Sequence, residues 1–273
     1  MRYCNANGSS QMRLISWNMA GAGFQSTAAH DEAWKWLANQ AEFDVAMLQE
    51  SNPPAWARNQ FPHLIHNPKY PLKGKKWGNS ILARVDSHSE FNPVAEQPWL
   101  EQIIGSITLA KPVEETGVWL VNIHSNANPL SLDQCRQLKE LGAPHCRPTR
   151  MWEIEAATYF LEPILKGKRF IFGGDLNSGH LFDTVNDYNF NKIMFENMRL
   201  QGFNDLRLPH SPNEQQTYFK QGKAAFQLDH LFGDIETLKR TSRWEVLTHV
   251  VRDLKLSDHA PVVIEVSSIT PNK

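Results

Sequence analysis

Short apolar runs alternate along the whole chain with polar and proline-containing stretches. Alternation of apolar and polar positions predicts a strand at residues 12–17. Similar runs predict further strands at residues 44–48, 79–84, 102–109, 118–123, 170–172, 226–232, 243–248 and 260–266. Apolar residues at helical spacing predict helices at residues 31–40, 149–165 and 191–200. Prolines interrupt residues 51–77, which are therefore expected to be irregular.

Helices interrupt the strands, so the order of the elements indicates an α/β protein. Polar residues collect where several of the predicted strands end. In residues 170–180, an apolar strand and two glycines precede Asp175, Asn177 and His180. An extended segment would point the side chains of Asp175 and Asn177 the same way, because they are two residues apart. This pattern indicates a polar site on a rigid scaffold. An ordinary turn is the alternative, since Gly-Gly-Asp and Asn-Ser-Gly are common turn sequences.

Composition narrows the class of protein. With 273 residues and 41% hydrophobic content, the chain can bury one large core, and it shows no linker or internal repeat. We expect a flexible tail at residues 1–11 and one domain at residues 12–267. A net charge of −1 argues against general coating of nucleic acid but allows a local basic patch.

Cysteine usage and hydropathy give expectations about the compartment. Three cysteines without metal-type spacing indicate a reducing environment. The chain has no apolar run of signal-peptide or membrane-spanning length. We therefore expect a cytoplasmic protein without membrane insertion, and a monomer is favoured.

Six short motifs occur in order, each within or at the end of a predicted strand. They are Trp17-Asn18, Leu48-Gln49-Glu50, His124, Gly174-Asp175-Leu176-Asn177, Leu228-Asp229-His230 and Ser257-Asp258-His259. Each motif is weak alone, but the ordered set resembles the endonuclease/exonuclease/phosphatase superfamily, also called deoxyribonuclease I-like. The resemblance covers nearly the whole chain. It implies a four-layer sandwich, in which two mixed β-sheets pack face to face with helices on the outside.

The resemblance also implies hydrolysis of phosphoester bonds with a bound divalent cation, usually Mg²⁺, with Mn²⁺ as an alternative. A phosphodiester is anionic, so attack by water requires charge neutralisation and an activated nucleophile. Glu50 corresponds to the main metal ligand, with Asn18 beside it and Asp258 as a further candidate. Such oxygen ligands are the ones that Mg²⁺ prefers.

Further residues correspond to the catalytic groups of the family. His259 corresponds to an imidazole that works with a buried carboxylate, which Asp229 would supply. That carboxylate fixes the tautomer and stabilises the imidazolium. Asp175 and Asn177 correspond to the pair that orients the attacking water and the scissile phosphate. His230 should face the opposite way from its neighbour Asp229 and is expected to be structural.

The residues that contact the substrate in the family have fewer clear counterparts in this chain. His124 corresponds to a second imidazole on the phosphate, and Asn79 could orient it from a neighbouring strand. His180 is either a phosphate contact or a loop residue. Several nucleases of the family place an Arg or Tyr on the strand that precedes the His124 strand, and the corresponding residues 99–103 of this chain include no cation. Arg147 or Arg150 is the candidate to replace it.

A basic stretch precedes the strand of Asn79 and bears on the substrate. Lys73 and Lys75 lie in it beside further lysines and aromatic residues. They are expected to follow a nucleic-acid backbone, with a solvated loop as the alternative. The sequence therefore predicts a metal-dependent nuclease that cuts DNA or RNA. The alternatives are a phosphatase or phosphodiesterase acting on a small molecule or lipid headgroup and, more remotely, a non-catalytic binding module.

Overall fold

The computed structural model describes residues 11–21, 27–68, 77–84, 88–91, 107–113, 117–140, 151–220 and 222–267. Within these ranges the strands are β1 Gln11–Asn18, β2 Val45–Ser51, β3 His63–Pro68, β4 Gly78–Ala83, β5 His88–Phe91, β6 Ile107–Pro112, β7 Trp119–His124, β8 Phe170–Asp175, β9 Asn204–Asp205, β10 Asp229–Gly233, β11 Thr241–Val246 and β12 Val262–Ser267. The helices are α1 Thr27–Asn39, α2 Ala55–Gln60, α3 Leu132–Glu140, α4 Glu153–Leu165, α5 His180–Asn186, α6 Phe190–Leu200, α7 Ile235–Arg240 and α8 His249–Arg252. Among the described residues, none of these helices has the length and hydropathy needed to cross a bilayer.

The strands form two mixed sheets of six strands each. The first sheet has the order β11-β12-β1-β2-β4-β3, and the second has the order β5-β6-β7-β8-β10-β9. β1 pairs with β2 in parallel, and β7 pairs with β8 in parallel, whereas the other pairings are antiparallel. The carboxyl ends of β1 and β2 therefore lie together at one edge of the first sheet. Those of β7 and β8 lie together in the second.

Three apolar cores separate four layers. One core lies between the sheets and includes Leu14 and Ile171, while the other two lie between a sheet and its outer helices. Strand alternation explains the division, because Leu14 of β1 faces the second sheet whereas Ile15 and Trp17 pack towards the helix α1. The predicted four-layer α/β sandwich is confirmed.

The expectation of an irregular stretch at residues 51–77 is wrong in its first part. Helix α2 and strand β3 lie there, and the prolines stand at their ends rather than inside them. Pro54 is the residue before α2, and Pro68 is the last residue of β3, which is an edge strand of the first sheet. Proline is tolerated at such positions because no helix or ladder hydrogen bond is lost there.

Two buried amide side chains link the sheets close to the edge where the polar residues collect. Gln49 Nε2 in β2 donates to Asn122 Oδ1 in β7 over 2.7 Å. Asn122 Nδ2 donates in turn to the backbone carbonyls of Leu48 and Ser80, each at 2.9 Å. Gly174 of β8 passes beside this bridge with φ 136°, and a Cβ at Gly174 would lie 2.8 Å from Gln49 Nε2. The bridge and the glycine together set how closely the two sheets approach.

Replacing Asn122 by alanine would leave the Leu48 and Ser80 carbonyls without this donor inside the core. The variant loses three buried hydrogen bonds, two to these carbonyls and one from Gln49 Nε2. Each contributes about 1 kcal/mol, so Asn122→Ala should lower the free energy of unfolding by about 3 kcal/mol in urea denaturation. The exposed Asn213 provides the control, because Asn213→Ala should change the same quantity by less than about 0.5 kcal/mol. Unchanged stability of Asn122→Ala would show that the bridge does not hold the sheets.

Candidate active site

An asparagine and an aspartate, one from each sheet, meet at the edge where β1 and β8 end. Asn18 is the last residue of β1, and Asp175 is the last residue of β8. Asn18 Nδ2 donates a hydrogen bond to Asp175 Oδ2 over 2.8 Å, and both side chains are buried. Asn18 follows Leu14 and Ser16 at steps of two residues, so strand alternation aims it at the second sheet. Packing of the sheets thus brings these two predicted site residues together.

His259 and Asp229 form the hydrogen bond that the sequence predicted, although they are 30 residues apart. Asp229 begins β10 directly opposite Asp175 in the antiparallel register, and His259 precedes β12. His259 Nδ1 lies 2.9 Å from Asp229 Oδ2, while its Nε2 lies 3.8 Å from Asp175 Oδ2. The Ser257 hydroxyl donates to the Asn18 carbonyl and accepts from the His259 amide. The segment that carries His259 is therefore fixed to the first sheet while its ring bonds to the second.

Glu50 reaches the same edge by leaving the regular course of β2. Ala46 and Leu48 pack towards the helix layer, so strict alternation would aim Glu50 there as well. Instead, Glu50 has a left-handed backbone with φ 46°, at a register shift between β2 and β4. Its Oε1 lies 3.5 Å from Asn18 Nδ2 and 3.5 Å from His124 Nε2. This conformation costs a non-glycine residue about 1–2 kcal/mol and is typical of residues held in place at functional sites.

The buried carboxylates change the protonation of the groups around them. Burial raises the pKa of Asp175 to about 7; the positive charge of His259 opposes this rise, and the negative charge of Asp229 adds to it. For His259, burial alone lowers the pKa, but the charges of Asp229 and Asp175 outweigh it and raise the pKa to about 10. The site therefore holds a positively charged imidazole beside two carboxyl groups at neutral pH.

Asn177 lies just beyond β8 and does not continue the strand, so the predicted extended segment is wrong at this residue. Its φ is 49°, and its backbone N–H donates to Asp175 Oδ1 over 2.9 Å. Its side-chain Nδ2 donates to the Ser125 carbonyl over 3.0 Å. A turn, rather than strand alternation, therefore places Asn177 at the site.

His124 ends β7 beside Asp175, with Nε2 3.7 Å from Asp175 Oδ2.

A cleft of about 260 Å³ opens over these residues. Its polar side is formed by Asn18, Glu50, Asp175, Asn177, Asp258 and His259. Phe182, Tyr218, Lys223 and Phe226 also line the cleft, and none of them was predicted from the sequence. Phe182 and Phe226 stack face to face with ring centroids 4.0 Å apart, and the Tyr218 ring lies 4.9 Å from that of His259. The available signal was Phe226, which opens a predicted strand that contains one of the motifs.

Asn79 and His180 were predicted to contact the substrate or to orient a residue that does, but the structure gives them other contacts. Asn79 in β4 donates to the Asn122 carbonyl over 3.2 Å, two residues before His124, so its role in orienting the His124 ring stays a prediction. His180 begins α5, is exposed, and packs against the ring of Phe195 at 5.1 Å. It lines a separate cavity rather than the cleft over Asp175.

His230 is buried, and its Nε2 lies 2.9 Å from the Ser178 carbonyl oxygen, as suits the structural role expected for it. The remaining predicted contacts lie outside the described residues. They are Arg147, Arg150, Lys73 and Lys75.

The donors around the cleft suit a hard divalent cation. Three carboxylates line it together with an amide: Glu50, Asp175, Asp258 and Asn18. Oxygen ligands of this kind are the ones that Mg²⁺ prefers. The three carboxylates concentrate negative charge here. Burial raises the pKa of Tyr218, and the charges of these carboxylates raise it further. A bound cation would offset that charge, so the residues present fit a metal site.

A second group of candidate ligands is more enclosed. Atoms of Asp175, Asp229 and His259 lie within 4.8 Å of one another, and all three residues are buried. Asp229 Oδ2 is already bonded to His259 Nδ1, so this group is better described as a hydrogen-bonded pair beside an aspartate. In the cleft itself, Asn18 Oδ1 accepts a hydrogen bond from the Ala20 N–H over 2.8 Å and retains a second lone pair.

The sequence matches the profile of the Endonuclease/Exonuclease/phosphatase family over residues 15–259, which is most of the chain. The chain therefore belongs to this family, and its class is that of the hydrolases of phosphoester bonds. A comparison with curated protein sequences gives no match.

Solved structures share the fold at low sequence identity. The 3′-5′ exonuclease NExo from Neisseria meningitidis is 18% identical, with a TM-score of 0.63 over 93% of this chain and 99% of that chain. An AP endonuclease from Archaeoglobus fulgidus is 15% identical, with a TM-score of 0.66 over 93% and 98%. The endonuclease domain of TRAS1, a telomere-specific non-LTR retrotransposon, is 16% identical, with a TM-score of 0.59 over 94% and 98%.

The Asp229–His259 hydrogen bond leads to a prediction about turnover of a phosphoester substrate. His259→Ala should lower kcat by at least about 10²-fold, the lower range for a positioned acid–base group. Asp229→Asn should also lower kcat, because the amide cannot hold the same tautomer or stabilise the imidazolium. His210→Ala, at an exposed histidine outside the cleft, is the matched control and should keep wild-type kcat. Wild-type kcat in folded His259→Ala would refute the proposed role.

Proposed function

We propose that the protein is a divalent-metal-dependent nuclease that hydrolyses phosphodiester bonds in DNA or RNA. The observation on which this proposal rests is the buried Asp229–His259 hydrogen bond, placed beside Asp175 in a cleft that Glu50 also lines. Such a pair is typical of general acid–base catalysis, whereas a protein that only binds a ligand does not need it. Membership of a family of phosphoester hydrolases supports the same conclusion.

In the proposed reaction, Asp175 accepts a proton from the attacking water, and the Asn177 turn holds Asp175 in position. His259 and His124 direct Nε2 towards the phosphate, where hydrogen bonds stabilise the charge that develops in the transition state. As the new P–O bond forms, the ester P–O bond breaks and the leaving oxygen takes the proton held by His259. Asp229 keeps the His259 ring in the orientation that this transfer needs.

Glu50 and Asp258, with the remaining lone pair of Asn18 Oδ1, are the residues that would hold the cation. When bound, a divalent cation neutralises part of the phosphate charge and polarises its oxygens. Asn18 also donates to Asp175 and lies close to Glu50, so it positions both carboxylates.

The aromatic part of the cleft lining supports a nucleic-acid substrate. Phe182, Tyr218 and Phe226 line the cleft with aromatic rings, and Lys223 contributes a positive charge to the same lining. Aromatic faces combined with a cation are a common way to bind single-stranded nucleic acid without sequence preference. NExo was also solved, as a 3′ phosphatase, with a product DNA hairpin, which favours a nucleic-acid substrate as well.

The small size of the cleft, about 260 Å³, favours a second candidate. A space of that size suits a single terminal phosphate or a small phosphoester better than a long polymer. A phosphatase or small-molecule phosphodiesterase is therefore the alternative activity.

A panel of substrates in Mg²⁺ or Mn²⁺ tests the proposal. We expect the wild-type protein to cut plasmid DNA, single-stranded DNA or RNA, and Glu50→Gln to be slower by at least about 10²-fold while folding normally. The Glu50→Gln variant should also need more Mg²⁺ for half of its maximal rate. Hydrolysis of only a phosphomonoester or a bis-ester would establish the alternative, and no hydrolysis of any substrate would refute both.

Lys223 provides a separate test of the substrate class. Lys223→Ala should raise KM on nucleic acid and reduce the dependence of log KM on log salt by about one unit, because one phosphate contact is lost. Hydrolysis of a small bis-ester should not change. Lys239→Ala is the control, since Lys239 pairs with Glu236 in α7 and does not line the cleft. Equal losses on both substrates would contradict a phosphate contact at Lys223.

A further inference from the structure

The chain segment that follows β1, residues 19–21, packs against the left-handed backbone of Glu50 and bonds to it. The Gly21 N–H donates to the Glu50 carbonyl over 2.9 Å, and the Met19 N–H donates to the Gln49 carbonyl over 2.9 Å. A Cβ at Gly21 would lie 2.0 Å from the Glu50 carbonyl oxygen, so only glycine allows this approach. The backbone of Glu50 therefore depends on where residues 19–21 lie.

His30 of α1 is the side chain that ties this segment to the residues after Glu50. Its Nδ1 lies 3.3 Å from the Met19 carbonyl oxygen. Its Nε2 accepts a hydrogen bond from the Asn52 backbone N–H over 3.0 Å and another from Trp34 Nε1 over 3.2 Å. The ring is buried. Its contacts join Met19, in the segment that follows β1, to Asn52, which lies two residues after Glu50.

These partners determine the tautomer of His30. The Trp34 indole and the Asn52 backbone N–H are donors only, so Nε2 must supply the lone pair. The proton of the neutral ring is therefore on Nδ1, which donates to the Met19 carbonyl. Burial lowers the pKa of His30, which is consistent with a neutral ring.

We propose that His30 is a positioning residue for the metal site, because its ring joins residues 19–21 to Asn52 and so keeps Glu50 in its left-handed conformation. This inference rests on the proposed function, since it takes Glu50 as the main metal ligand. His30 itself would touch neither the cation nor the substrate. Its loss would let Glu50 return towards regular strand geometry, which aims the carboxylate away from Asn18 and His124.

Binding of Mn²⁺ alone, measured by electron paramagnetic resonance without substrate, tests this role. His30→Ala should raise the Kd for Mn²⁺ by about 10-fold or more, as for other residues that orient a metal ligand. His30→Gln should recover part of the affinity, because its side-chain oxygen can accept where Nε2 accepts. His88→Ala is the matched control, since His88 is a partly buried histidine that contacts the Val118 carbonyl oxygen in the second sheet. That variant should bind Mn²⁺ as the wild type does.

Glu50→Gln, measured alongside, separates the two levels of the proposal. If Glu50→Gln weakens Mn²⁺ binding and folded His30→Ala does not, the role of His30 is wrong while the metal site stands. If neither variant weakens binding, the metal site is wrong and the role of His30 is wrong with it.

¹⁵N-histidine spectra of the wild-type protein test the tautomer without any substitution. A proton on His30 Nε2 at neutral pH would overturn the inference.

Discussion

The two sheets must keep a fixed position relative to each other, because the candidate site takes its side chains from both. The Asn18–Asp175 hydrogen bond joins the end of β1 to the end of β8, and the Asp229–His259 bond crosses between the sheets again. The Gln49–Asn122 bridge lies just behind these contacts in the buried interior. A small shift of one sheet would break both contacts at once. The site is therefore a property of the packing of the sandwich.

Burial strengthens the electrostatic contacts between these side chains, but it also makes an unpaired charge costly in free energy. Several carboxylates converge in a region with little water, where an isolated charge is unfavourable. The positive charge of His259 and the N–H donors of Asn18 and the Asn177 backbone partly compensate the charges of these carboxylates. The raised pKa of Asp175 shows that this compensation is incomplete. In the proposed function, a bound divalent cation would supply the remaining positive charge.

Local sequence predicted what depends on local chemistry. Apolar runs ending in polar motifs located β1, β7 and β8, and the ordered motifs indicated the family and the Asp229–His259 pair. Other features depend on distant segments and could not be predicted. The aromatic part of the cleft lining needs Phe182 and Phe226 to meet across the fold. The left-handed backbone of Glu50 depends on His30 and Gly21. Prolines misled at residues 51–77 because their effect depends on whether they lie within an element or at its end.

A double-mutant cycle on Asp229 and His259 is the most direct test that groups from the two sheets work as one catalytic unit. The rate of phosphoester hydrolysis would be measured for wild type, Asp229→Asn, His259→Ala and the double variant. Because Asp229 is proposed to act through His259, the double variant should be no slower than His259→Ala alone. Losses that multiply in the double variant would show that the two residues act independently and would contradict their action as one catalytic unit.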